Sequence, residues 1–351
     1  MEKEIPRANM QYINEIEQLV ENIKIKSDSS FILNDQIYET SGVTEEIVNE
    51  TNVNLSKNNL TLSLANSLYQ LIHCRKALID EQISSYHDSL EGSKNRNFLE
   101  LLSKANHSVG NWEPGWIVFK IEKNSKIVIK KNDLMIWAMP YQFIPLNGKL
   151  ANIGDEGCVA MVKEFRELFP GFYMVNGNIS IEDKSFIVRI YWNISSDGAV
   201  SLVKSLTNAL NDEGIPFQFK ILNNEKYYVR ADAGVLYLDK DDIKDAKNAL
   251  SAIYNNIKSF LKPSVPLFAK KLASGISLAE DPANGESFGQ NRCRLFAESI
   301  YDAYTKDISK LKEKIEHVKE YFEIQDINFN IPYLKNTKSS DDYDILYSVF
   351  E

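Results

Sequence analysis

From Trp116 onward the chain breaks into short apolar runs rich in β-branched and aromatic residues, and this limits its possible folds more than any other feature. Trp116-Ile-Val-Phe-Lys-Ile121, Lys126-Ile-Val-Ile-Lys130 and Leu134-Met-Ile-Trp-Ala138 are separated by Asn-Ser and Asn-Asp turns, the pattern of a β-meander. Further strand patterns fall at 157–162, 171–175, 185–194, 216–222 and 227–238, and helical patterns at 198–212, 240–261, 288–304 and 306–322. Strands arrive in runs, with helices between and after them. That order predicts an α+β fold built on mostly antiparallel sheet with packed helices, not a wound parallel sheet. Neither a Gly-x-Gly-x-x-Gly nor a P-loop pattern occurs, so nucleotide binding has no support.

The front third differs. Residues 8–25 place Ile13, Ile16, Leu19, Val20 and Ile23 at helical spacing, and 62–79 do the same with Leu64, Leu68, Leu71 and Ile72. Between them, 26–58 are rich in Asn, Ser, Thr and Glu and read as loops around a short helix. The spacing predicts a helical N-terminal subdomain over 1–108, with its boundary in a polar stretch at 88–112 punctuated by Gly92, Gly110 and Pro114. An α+β catalytic domain over 109–335 follows, then an acidic tail over 336–351 that is expected to fray.

With 351 residues, 44% of them hydrophobic, the chain can bury a large core. A net charge of −9 argues against general nucleic-acid binding, which needs a basic footprint, but allows a local phosphate pocket. Cys74, Cys158 and Cys293 are odd in number and far apart, and His73, His87, His107 and His317 are scattered. No zinc-type spacing appears, so no metal or other cofactor is expected, and a reducing, cytoplasmic setting is. No apolar run reaches membrane-spanning length and no signal-peptide pattern opens the chain, so no membrane partner is expected.

Lys220 lies in the apolar run Phe217-Gln-Phe-Lys-Ile-Leu222. An ammonium there loses hydration unless it is paired or deprotonated, and a lysine that is readily deprotonated is a general base. The alternative is an edge strand from which the amine reaches water. Arg230, read as opening the next strand, is either a phosphate clamp or the partner of Asp232 on one strand face. Ser287 is a helix N-cap, with Arg292 and Arg294 in the first turns after it. Cations there are unfavourable unless an anion offsets them, so they point to a bound phosphate or to the acidic Glu280-Asp281 loop. Arg189 and Tyr191 share one strand face, where the tyrosine either donates a proton or simply packs. His107 precedes a Gly-Asn-Trp-Glu-Pro-Gly-Trp turn and reads mainly as a surface loop histidine.

Taken together, Asn111-Trp-Glu-Pro-Gly-Trp116, Gly171-Phe-Tyr, Arg189-Ile-Tyr-Trp-Asn193, Phe217-Gln-Phe-Lys220, Arg230-Ala-Asp-Ala-Gly-Val-Leu-Tyr237, Pro266-Leu-Phe268, Leu272-Ala-Ser-Gly275 and Ala279-Glu-Asp-Pro282 followed by Ser287-Phe-Gly-Gln-Asn-Arg292 resemble the HopA-type family of type III effectors. They also resemble that family's lyase-like relatives in ribosomal peptide (lanthipeptide and thioamitide) clusters. The family is in turn distantly similar to phosphothreonine lyases. There a strand lysine takes the α-proton, a histidine protonates the leaving phosphate and arginines hold it. The resemblance implies Lys220 as base, with Arg189, Arg230, Arg292 and Arg294 as phosphate ligands. The lyases' Lys-x-His strand reads Arg189-Ile-Tyr191 here, which leaves Tyr191 or another group as the acid. Implied partners are a phosphorylated peptide substrate and a kinase-like protein. The implied activity is β-elimination from phosphoserine or phosphothreonine to dehydroalanine or dehydrobutyrine. The alternatives are a non-catalytic peptide- or kinase-binding protein, or a secreted effector, of the same fold. A phosphatase is a weaker option, since neither a Cys-x5-Arg loop nor a metal set is visible.

Overall fold

A computed structural model describes residues 7–40, 50–76, 96–123 and 125–351. The front segment begins with α1 (Arg7–Asn22), a small antiparallel sheet of β1 (Ile23–Ser27), β2 (Ser30–Leu33) and β3 (Gln36–Glu39), and α2 (Glu50–Leu68). The strands replace part of the loop expected over 26–58: Phe31 and Leu33 are buried, and the short apolar run Phe31-Ile32-Leu33 was masked by the polar residues on either side of it. Helix α2 runs directly into a π-helical turn, Tyr69–His73. His87 and the polar boundary at 88–95 lie outside the described residues. After α3 (Arg96–Ala105) comes the expected meander: β4 (Asn111–Ile121), β5 (Ile127–Lys131), β6 (Leu134–Ala138), β7 (Phe143–Pro145) and β8 (Glu156–Met161). These pair antiparallel in the order β6-β5-β4-β8-β7 around a small core of Trp116, Val118, Ile129, Phe143 and Val159.

The site is carried by a seven-stranded antiparallel sheet, ordered β14-β15-β11-β13-β12-β10-β9. Its strands are β9 (Glu164–Phe169), β10 (Phe172–Asn176), β11 (Ile187–Trp192), β12 (Gln218–Leu222), β13 (Gly234–Asp239), β14 (Lys270–Ala273) and β15 (Ile276–Glu280). The α+β expectation holds. One face packs Val188, Ile190, Trp192, Phe219, Ile221, Leu236 and Leu238 against α4 (Ser196–Asp212) and α5 (Lys247–Ile257). The other face sends Tyr191, Val235 and Ala279 into a second core. This core is shared with α1, α2, α6 (Phe288–Thr305) and α7 (Leu311–Ile324). Burial of side chains the size of Leu and Phe, worth about 1.5–3 kcal/mol each, fixes the helices to both faces.

The tail does not fray. Tyr343–Val349 form a 3-10 helix with Tyr343, Leu346, Val349 and Phe350 buried, while Asp341 and Asp344 pair with Lys270. The acidic composition masked an apolar stripe whose charges meet a buried lysine. No described helix is long and apolar enough to cross a membrane.

Candidate functional site

Register places the site. Lys220 stands opposite Met174 of β10 and Val235 of β13, while Arg189 and Tyr191 of β11 stand opposite Tyr237 and Val235. All four strands turn these residues to the face that α6 covers. Lys220 Nζ sits 4.7 Å from the Phe172 ring centre and 5.8 Å from that of Tyr237. It makes no ion pair or side-chain hydrogen bond among the described residues; the two aromatic faces lie against it, and the Asp232 carboxylate is within electrostatic reach. Across Tyr237, the Arg189 guanidinium lies 5.4 Å from the same ring and donates to Asp281. One tyrosine is thus flanked by two cations.

Arg230 is not on a strand. The strand pattern read over 227–238 begins only at Gly234, because Glu225–Tyr227 form a 3-10 turn and the backbone leaves the sheet. From that connection Arg230 donates two hydrogen bonds to Asp232, and both side chains are buried. Burial alone would raise the Asp232 carboxyl; the Arg230 guanidinium overrides it and holds the group well below the carboxylate range. Tyr69 closes the pair, accepting from Arg230 at 3.2 Å and donating to Asp232 at 3.3 Å.

His73 completes the cluster and was not foreseen. The π turn stacks its ring on Tyr69, with centroids 4.9 Å apart. It meets the Tyr191 ring edge-on at 5.3 Å, and Nε2 lies 3.6 Å from Asp232 Oδ2. A histidine supplied by the front third therefore stands beside Tyr191. Burial pushes the imidazole down to about 4, partly countered by Asp232. Burial raises the Tyr191 hydroxyl, the nearby Arg189 guanidinium opposes the rise, and among the described residues the hydroxyl makes no hydrogen bond of good geometry. Just beyond, burial and the Arg230 charge lower Lys76.

The remaining predicted ligands are not brought to Lys220. Ser287 does cap α6, accepting from the Gln290 N–H, and Gln290 returns the bond to the Ser287 N–H. Arg292, however, is fully buried and donates to the Pro332 and Leu334 carbonyls at 2.7 Å each. Arg294 pairs with Glu286 and Glu298. Carboxylates of the protein itself thus offset Arg294, while Arg292 is held by neutral oxygens, the two carbonyls and the Asn291 side chain. His107 contacts the Ala105 carbonyl at 2.8 Å in its loop, and His317 pairs with Asp302. Among the described residues no group of three or more His, Cys, Asp and Glu could hold a metal.

Residues 165–334 match the model of the HopA1 effector protein family. The HopA1-matched segment supplies Lys220, Arg230, Asp232, Arg189 and Tyr191, while Tyr69 and His73 come from outside it. The chain is similar to the solved structure of an effector protein from Pseudomonas syringae pv. tomato strain DC3000 at 15% identity, with a TM-score of 0.49, covering 94% of this chain and 98% of that one. It is also similar to an effector protein from Pseudomonas syringae pv. syringae strain 61 at 12% identity, with a TM-score of 0.43, covering 79% of this chain and 96% of that one. No curated protein matches the chain.

Proposed function

We propose that this HopA1-type protein is a phosphoserine/phosphothreonine lyase acting on a phosphorylated precursor peptide. One observation carries the reading. The Lys220 amine, with no ion pair among the described residues, lies against the Phe172 and Tyr237 rings, beside a buried Arg230–Asp232 pair whose carboxylate is 3.6 Å from His73. With Lys220 acting as the neutral base, three cations, Lys76, Arg189 and Arg230, face two carboxylates, Asp232 and Asp281, which leaves one positive charge to attract a phosphate.

In the reaction, neutral Lys220 Nζ takes the α-proton, the Cα–H electrons form the Cα=Cβ double bond, and the Cβ–O bond breaks with its electrons staying on phosphate. Arg230 and Arg189 share their donors with the departing oxygens, so binding and leaving-group stabilisation use one set of groups. His73 gives its proton to the leaving phosphate. A dianion arriving beside the buried imidazole supplies the counter-charge that its protonated form lacks in the free protein. The products are dehydroalanine or dehydrobutyrine and inorganic phosphate. The setting we propose is the cytoplasm, beside a kinase-like protein that phosphorylates the peptide.

A second reading, a non-catalytic peptide- or kinase-binding protein or a secreted effector of the same fold, is favoured by one fact: Arg189 and Arg230 already have carboxylate partners. Intact mass of phosphoserine and phosphothreonine peptides separates the two. The lyase removes a whole phosphoric acid unit, and Lys220→Ala lowers that rate by about a hundred- to ten-thousand-fold. Unchanged mass in both proteins sinks the lyase and leaves the binding protein; a product bearing a plain hydroxyl means hydrolysis.

A further inference from the structure

A groove of about 700 Å³ is lined by residues 263–269 and reaches the first two residues of β14, Lys270 and Lys271, at the outer edge of the large sheet. Leu267 and Phe268 form its apolar base, with Tyr12, Tyr333 and Tyr347 on its walls. Strand β14 pairs only with β15, and none of its backbone groups bonds outward to a described residue. An unpaired strand edge beside an apolar trough suits one kind of occupant, an extended backbone that pairs with the edge and drops alternate side chains into the trough. The rim carries both signs: Arg75 and Glu15 at one end, and Lys270 with Asp341 and Asp344 at the other.

The groove and the Lys220 site meet at one turn. The Ile72 carbonyl accepts from the Leu267 N–H at 2.9 Å, on the groove side. The Cys74 carbonyl accepts from the Ala231 N–H at 2.7 Å, between Arg230 and Asp232. Between these bonds lies His73, and just after them Arg75, held at φ 57° and donating to the Val265 carbonyl. The turn from Ile72 to Arg75 thus touches the Lys220 site on one side and the groove on the other.

We propose that the groove binds the stretch of substrate peptide flanking the phosphorylated residue, as a strand added to β14. This rests on the peptide-lyase reading of the neighbouring site. A bound stretch of about six residues would span roughly 20 Å at strand rise. The site then selects substrates by length and by backbone extension, with sequence read only where side chains enter the trough.

The test uses the full chain and the tightest-binding member selected from a library of 15-residue peptides with a central phosphothreonine, together with its five-residue core. The longer peptide should slow amide exchange at 270–273 by about tenfold or more, and its unphosphorylated form should do the same; the core should not. Tyr347→Ala should lower kcat/KM about tenfold more for the longer peptide than for the core. Saturable binding that protects other amides but not 270–273, an equal effect of Tyr347→Ala on both peptides, or a library with no binder would each overturn the groove. Elimination on the five-residue core is scored separately, so a failed lyase and a failed groove are told apart.

Discussion

His73 is the residue on which the site's acid sensitivity turns. Its imidazole is buried and neutral, with a folded value of about 4 against an ordinary 6.5. Below pH 6.5 the unfolded chain therefore binds a proton that the folded chain refuses. Stability contributed by the neutral ring is complete above that pH and drains away as pH falls toward 4, by about 3 kcal/mol in all. Urea denaturation between pH 7 and 4 should show this slope, and His73→Phe should flatten it; an unchanged slope in the variant would remove His73 as its cause. Asp232 is depressed in its turn, so its contribution holds through that window and is lost only at lower pH. Removing the carboxylate leaves Arg230 buried and unpaired, so Asp232→Ala should cost about 3–5 kcal/mol at pH 7, read from the same denaturation curves. At this scale the sequence was informative where local alternation decides direction. Lys220, Arg189 and Tyr191 share a face because strands alternate. His73 was illegible because its nearness to Tyr191 spans over a hundred residues of chain. Arg294 was misread although Glu298, one helical turn on, stood in plain view.

Helix α6 fits over the π turn at Gly289, and the fit is close. A β-carbon at Gly289 would come within 2.5 Å of the His73 ring. The ring cannot yield without leaving Tyr69 or Tyr191. Gly289→Ala should therefore lower stability by about 1–3 kcal/mol and slow elimination while Lys220 stays in place. Melting temperature and the mass assay read the two effects; a variant with wild-type values of both would show the contact to be slack. Elements with a strong period were legible: α4, α6 and α7, the three meander hairpin strands, and β10 to β12. Strands β14 and β15 were not, since Lys-Lys-Leu-Ala is too short to show a period and its partner follows after a turn. Nor was the C-terminal 3-10 helix, whose acids suggested solvent until Lys270 accounted for them.

At the scale of the molecule, the described residues form two well-covered cores and a meander sheet with one face exposed. The outward face of the meander shows Trp112, Ile117, Phe119 and Trp137, the last 73% exposed. Exposed aromatic and aliphatic side chains gathered on one sheet face are the kind of surface that binds apolar partners. The native protein should bind anilinonaphthalene sulfonate at neutral pH, and Phe119→Lys with Trp137→Lys should reduce that fluorescence with no fall in melting temperature. Dye binding unaffected by the pair would place the apolar surface elsewhere. The fold class could be read from strand order alone, but the way the front helices join the sheet could not: the second core draws Tyr12, Leu64 and Leu68 together with Phe288 and Phe296, which no local pattern connects.

That shared core also bears on descent. The sheet brings Lys220, and a turn far upstream brings the His73 imidazole. A recombination breakpoint anywhere between Cys74 and Lys220 would part them, so the proposed chemistry requires the two stretches to descend together. A lineage that exchanged its front third would keep the segment that matches the effector-family model and would lose the His73 half of the proposed site.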